Sequence, residues 1–291
     1  MIYDVVHRTE YRFHRTVALG PHRMAFRPRD GHDMRVLATA LVVEPEPQRV
    51  DLVSDVYGNS VALLLPAAHA DHLVVSSNFT VDHLGSMAFA LPNAAESFWI
   101  PPSYGPPERL ALHPFLLPSH DDPLHLLRSW AQPFSNHGDS GGGGPRQAIA
   151  EMSAAIRNRF EYRSRQEEGV QSPLQTLAAQ SGSCRDFATL MIDALRHLGI
   201  ASRFVSGYLY VPQAQGVVGG GATHAWVQCY LPDCGWFPVD PTNNLIGGQE
   251  LIRVAVAREA SEVAPLSGAW FGSAGDFAGM TVDVQVNARS G

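Results

Sequence analysis

The chain opens on alternation. In "MIYDVVHRTEYRF" polar and apolar residues exchange places from the second position, the period of a half-buried strand. Short runs rich in Val, Leu and Thr follow, in "VLATALVVEPEP", "DLVSDVYGNSVALLLP" and "DHLVVSSNFTVDHL". Pro, Gly and Asn punctuate them at intervals of about ten residues, the spacing of an all-β sandwich. "YGNS" at 57–60 reads as a hairpin turn, because Gly and Asn tolerate positive φ. Residues 1–90 are therefore expected to form a β-rich domain.

Periodicity lapses over 91–145. "IPPSYGPPERL", "HPFLLP" and "HGDSGGGGPRQ" resist regular pairing, and the glycines at 141–144 make a flexible connector. The expectation is an irregular Pro/Gly-rich link leading to a second domain, 146–291. There the period becomes helical. Ile149, Met152, Ile156 and Phe160 predict a helix with Pro145 near its first turn. Phe187, Leu190, Met191, Ala194, Leu195 and Leu198 form one apolar stripe of a further helix. Ser181 and Ser183 can accept from its first N–H groups, Asp186 suits its first turn, and Gly199 suits its C-terminal cap. "ASRFVSGYLY", "HAWVQCYL", "GWFPVD", "IRVAVAREA" and "MTVDVQVNA" read as strands. The fold class is α+β: a β-sandwich-like domain, then a core with a helix packed on an antiparallel sheet.

Bulk properties narrow the function. A length of 291 residues fits two domains, and 45% hydrophobic with 17% charged residues is ordinary for a soluble protein. A net charge of −7 argues against nucleic acid or an anionic membrane as partner. No apolar run approaches the roughly 18 residues of a membrane span. The first residues lack the basic-then-apolar order of a signal peptide, so a cytoplasmic protein is expected. No phosphate loop or dinucleotide fingerprint is present, so no cofactor is implied. "HADH" at 69–72 and "SHDDPLH" at 119–125 lack metal-ligand spacing, and no metal is expected. Three cysteines make no disulfide framework; Cys229 reads as strand packing and Cys234 as a turn residue.

The third cysteine is different. Cys184 stands in the first turn of the second helix, where free N–H groups and the positive end of the dipole favour thiolate over thiol. Its own N–H is then available to an oxyanion. A nucleophile of this kind needs a base, and the base an orienting group. His224 and Asp240 are sixteen residues apart about Pro232, inside the turn signal "LPDCG". A hairpin centred there sets the two opposite each other on one face, with Cβ atoms ~4.5–5.5 Å apart.

These residues resemble a known family. "GSCRDFATLMIDALRHLGIASRFVSGYLY" and "THAWVQCYLPDCGWFPVDPTNN" are similar to the core of the bacterial transglutaminase-like superfamily. "TEYRFHRTVALGPHRMAFRPR" and "DVYGN" resemble its β-rich N-terminal region. The resemblance implies a papain-like arrangement with Cys184 as nucleophile, His224 as general base and acid, and Asp240 as orienting carboxylate. Gln228 stands where the family often has glutamate. Tyr162 and Trp226 are candidates to line the cleft, and Arg185 to steer substrate. The glycine-rich stretch before His224 reads as a flap or a plain surface loop. The expected substrate is a peptide or protein amide, with hydrolysis preferred over transfer to an amine. A non-catalytic binding scaffold is the alternative, and no pattern in the chain fixes an oligomeric state.

Overall fold

One long strand organises the first half of the computed structural model, which describes residues 1–85, 100–135, 144–165, 167–211 and 222–289. β1 (Ile2–Arg27) keeps the alternation of its sequence: Tyr3, Val5 and His7 are buried, while Val6 and Arg8 face out. β2 (Met34–Glu44), β3 (Arg49–Ser54), β4 (Ser60–Leu65) and β5 (His69–His83) join it in the order β2-β5-β1-β4-β3. The turn at 57–60 is as expected, with Ser54 paired to Ser60 and Gly58 at a φ of 72°.

Residues 100–135, where the prolines pointed to an irregular connector, hold α1 (Pro106–Leu116) and α2 (Leu126–Ala131). Pro106 and Pro107 occupy the first helical positions, where a missing N–H removes no helical bond. Residues 136–143, with most of the glycine run, lie outside the described residues.

The second half begins with α3 (Pro145–Arg159), which starts at the proline read as its first turn. A two-residue parallel pair, β6 (Glu161–Tyr162) and β7 (Ser181–Gly182), brackets α4 (Pro173–Ala179) and leads into α5 (Cys184–His197). β8 (Ser202–Leu209), β9 (Thr223–Leu231), β10 (Gly235–Asp240), β11 (Leu245–Ile246) and β12 (Leu251–Ala257) form an antiparallel sheet ordered β11-β10-β9-β8-β12. α5 packs on β8 and β9, with α2, α3 and α4 around it. The predicted stripe is present, but burial runs around the whole helix and includes Asp186, Asp193 and Arg196. These polar groups are satisfied internally. Asp193 accepts from the N–H groups of Ser119 and His120, and Arg196 donates to the carbonyls of Ser202 and Arg258. Gly199, at a φ of 72°, closes the helix as expected.

The last strands go elsewhere. β13 (Leu266–Phe271) and β14 (Phe277–Ala288), expected with the second domain, both pair with β1. A strand of 26 residues has two long edges, and β5 and β4 occupy only one of them. The seven strands make an antiparallel half-barrel. The second layer of the expected sandwich is supplied by the core: Tyr3, Val5, Met34, Phe79 and Val81 share one cluster with Leu190, Phe204, Tyr208 and Ile252. Among the described residues no helix is long and apolar enough to cross a membrane.

The "DVYGN" turn fastens the two halves together. Asp55 accepts from the N–H groups of Tyr57 and Asn59, each at 2.9 Å. Asn59, 1% exposed, then donates to the Val256 carbonyl at 2.7 Å and accepts from the Val256 N–H at 2.9 Å. Asn59→Ala leaves both buried groups of Val256 unpaired and is expected to destabilise the protein by about 1–3 kcal/mol. Denaturant unfolding checks this, and a loss below about 0.5 kcal/mol, the scale of an ordinary surface change, would mean that the turn does not fasten the halves.

Candidate active site

The position of Cys184 follows from the residues just before it. Ser181 and Gly182 pair with Glu161 and Tyr162, which aims the chain into α5. Asp186 then reaches back over the first turn. Its carboxylate, fully buried, accepts from the Ser183 N–H and Oγ at 2.8 Å each, and from Arg165 and the Gln171 N–H at 2.7 Å each. Gly182 makes this possible, since a Cβ there would stand 2.8 Å from the Asp186 Cβ. Cys184 is left at the helix start, 8% exposed.

The other two groups come from the sheet. Nε2 of His224 lies 2.8 Å from Oδ2 of Asp240, and both side chains are buried. The register differs from the expected one. Leu231 pairs with Gly235 and Val227 with Val239, so the hairpin is centred on Asp233, and continuing the register sets Asp240 opposite Trp226. The cause is a three-residue turn, Pro232–Cys234, closed by the Cys234 N–H on the Leu231 carbonyl and by Gly235 at a φ of 68°. Two residues of displacement preserve the side-chain face, so Asp240 meets His224 diagonally.

The electrostatics are those of a coupled pair. Burial opposes charge on His224, but the Asp240 carboxylate outweighs it, helped by the Cys184 thiol, and the imidazole is pushed up to about 10. Burial likewise opposes charge on Asp240, and the His224 charge with the donors around it holds the carboxyl below its usual range. With Nε2 engaged by Asp240, Nδ1 is the nitrogen left for sulfur; it closes no other hydrogen bond among the described residues.

Two residues that the sequence reading passed over hold the carboxylate. Oδ1 of Asp240 accepts from the Thr242 N–H at 2.9 Å, and Oδ2 from the Asn243 amide at 2.8 Å. The signal was present in "DPTNN", where short polar side chains follow the aspartate. Gly207 is a third. It stands opposite His224, and a Cβ there would collide with the Ile252 carbonyl and the Trp226 ring.

The remaining candidates separate. Tyr162 is half-buried, and burial, followed by Cys184, pushes its phenol up to about 12, with Asp240 contributing in the same direction. Its ring meets that of Phe187 in α5 at 6.5 Å, which sets it near the start of that helix. Trp226 does not wall an open cleft. It is fully enclosed with Val205, Leu209, Leu251 and Val256, and its ring stacks at 6.0 Å from that of His224. Arg185 donates to the carbonyls of Arg165 and Glu167, tying the helix start to the neighbouring loop. Cys229 is buried in β9 and Cys234 lies in the turn, both free thiols. Residues 212–221, read as flap or surface loop, lie outside the described residues. A cavity of about 410 Å³, lined by Leu126, Trp130, Phe160, Leu174 and Leu177 among others, does not include Cys184. The site is defined by its hydrogen bonds.

Comparison with known proteins agrees with this architecture. Residues 130–241 match the model of the transglutaminase-like superfamily, and residues 3–82 that of the bacterial transglutaminase-like N-terminal region. An uncharacterized protein of Mycobacterium tuberculosis is 30% identical over 285 residues, covering 91% of this chain and 86% of that protein. An uncharacterized Mycobacterium leprae protein is 37% identical over 131 residues, 44% of this chain and 46% of that one. Among solved structures, a candidate cysteine protease of Cytophaga hutchinsonii superposes with a TM-score of 0.70 at 19% identity, covering 100% of this chain and 92% of that one.

The pair also sets a pH dependence. The folded-state pKa of His224 lies above the reference of about 6.5. Its stabilising contribution is therefore full below that reference and declines as pH rises towards about 10. Asp240, lowered, contributes above about 4 and loses its contribution as pH falls further. The stability difference between the native protein and His224→Gln is expected to narrow from pH 6.5 to pH 10, as measured by unfolding at each pH. A difference flat across that range would exclude the charged pair.

Proposed function

The chain belongs to the transglutaminase-like superfamily, and from that premise we propose that it is a thiol-dependent enzyme that cleaves amide bonds of a peptide or protein through an acyl-enzyme. The reading is carried by one observation: an imidazole held by a carboxylate at 2.8 Å on one nitrogen, with a helix-start cysteine among the groups that act on it. The description of the Cytophaga hutchinsonii protein as a candidate cysteine protease accords with it.

The roles follow from the geometry. His224, its pKa raised to about 10, already carries the proton at neutral pH, and Cys184 Sγ attacks the amide carbonyl as the sulfur anion of that pair. The carbonyl oxygen becomes an oxyanion facing the N–H of Cys184 at the positive end of α5. Collapse breaks the C–N bond, and His224 gives its proton to the departing amine. A raised imidazole pKa suits that donation. Water then attacks the thioester and gives a proton to His224, and the C–S bond breaks to release the carboxylic acid and return sulfur and imidazolium to their starting state. Asp240 holds the ring throughout, itself fixed by Thr242 and Asn243. Tyr162, beside Cys184, is the candidate second donor to the oxyanion.

A second reading, transfer of the acyl group to a primary amine, draws on burial. Cys184 is 8% exposed and His224 1%, and a site that admits little water favours an amine acceptor. Incubation with a glutamine-containing peptide, with and without a primary amine, tests both. Hydrolysis releases ammonia or a cleaved peptide without amine incorporation; transfer gives the amide adduct. Cys184→Ala is expected to abolish turnover, and Asp240→Asn to reduce it by about 10²–10⁴-fold. Turnover that persists in Cys184→Ala would remove the nucleophile and with it this function.

A further inference from the structure

The sheet face that bears His224 also carries a group the proposed chemistry does not use. Arg203 of β8 pairs across to Gln228 of β9. Its Nε donates to Gln228 Oε1 at 2.9 Å, and its guanidinium lies 4.1 Å over the Trp236 ring. Phe115 and Tyr230 meet the same indole at 5.3 and 5.4 Å. The other N–H groups of Arg203 donate to nothing among the described residues, and no carboxylate there pairs with it.

Its charged neighbours are of the same sign. Arg253 and Arg29 both act on Arg203, and burial, then these two charges, push its guanidinium down to about 9. Arg253 is already engaged by Asp33 at 3.1 and 3.2 Å. Arg29 donates to the carbonyls of Tyr57 and Gly58 at 3.0 and 2.8 Å. Asp55, at the start of the same turn, is paired with Arg23 of β1 at 2.9 Å. Asp30, nearby in sequence, is exposed and accepts from the Val36 N–H instead. The cluster of Arg203, Arg253 and Arg29 thus has Asp33 and Asp55 as its acidic neighbours, in a chain whose net charge is −7. Arg203 is only partly exposed and has no counter-ion among the described residues, and a planar guanidinium with free N–H groups is a fork shaped for an oxyanion.

We propose that Arg203, backed by Arg29 and walled by Trp236 and Phe115, binds the oxyanion of a small ligand, a carboxylate or a phosphate group. The site is distinct from the nucleophile. Gln228 lies four residues beyond His224 on the same strand face, about 13 Å at the rise of a strand, and the enclosed Trp226 fills the interval.

Thermal unfolding of the full chain at constant ionic strength tests the assignment, with sodium phosphate, sodium succinate and sodium chloride as the three probes. An oxyanion at ten times its Kd is expected to raise Tm by about 3 °C, while chloride does not. A response to phosphate alone identifies a phosphate site, and a response to succinate alone a carboxylate site. Arg203→Gln is expected to lose the response. Gln228→Glu supplies the carboxylate from within the chain; it is expected to raise Tm in plain buffer and to abolish the oxyanion effect. This variant decides the matter even if Arg203→Gln fails to fold. The proposal is overturned if phosphate and succinate act no differently from chloride on the native protein, or if Gln228→Glu keeps the full response.

Discussion

A carboxylate sealed from solvent fixes where the central helix begins. Asp186 receives four hydrogen bonds, from Ser183, Arg165 and the Gln171 backbone. An ionised group in that position adds little net stability, since desolvation offsets most of its attraction. What it contributes is placement. The loops at 165 and 171, the glycine at 182 and the strand pair that includes Tyr162 are all drawn to one point, and Cys184 is two residues from that point. At the other end of α5, Asp193 and Arg196 bind the helix to Ser119, His120 and Ser202 in the same manner. A helix buried on nearly every side has little freedom to rotate or slide, which a nucleophile at its first residue requires.

Alternation along β9 divides labour within a single strand. Ala225, Val227, Cys229 and Leu231 belong to the cluster that contains α5. His224, Trp226 and Gln228 occupy the alternate positions and carry the imidazole of the proposed site, the ring stacked on it and the partner of Arg203. Trp226 supports the imidazole by stacking, and Gly207 leaves the space that Trp226 needs. One strand is thereby core on one side and the proposed site on the other.

Much of this was legible in the residues. Serine and glycine before Cys184, and an aspartate two residues after it, marked a helix start with a thiol in its first turn. The even separation of His224 and Asp240 put both on one face, and this survived a register other than the one expected, because a shift of two residues keeps side-chain parity. The turn length was not legible, since "LPDCG" accommodates more than one hairpin geometry. The prolines at 106 and 107 misdirected the reading of 100–135 because proline is compatible with both a break and a helix start. Burial of all sides of α5 was hidden for another reason. Its polar positions look solvent-facing in a periodicity plot, and only tertiary partners reveal that they are enclosed. The destination of 266–288 depended on the second edge of β1, a property of the assembled sheet and not of either segment.

That last arrangement bears on how the molecule can be made. Tyr3 to Phe13 are zipped to Phe277 to Ala288, so this part of the sheet is complete only once two segments far apart in sequence have met. The half-barrel cannot mature before the segment that supplies its last two strands has been made. Contacts of such long sequence separation slow folding, and they make the two halves finish together: the thiol site is enclosed in a molecule whose sheet closes only when strands from both halves have joined.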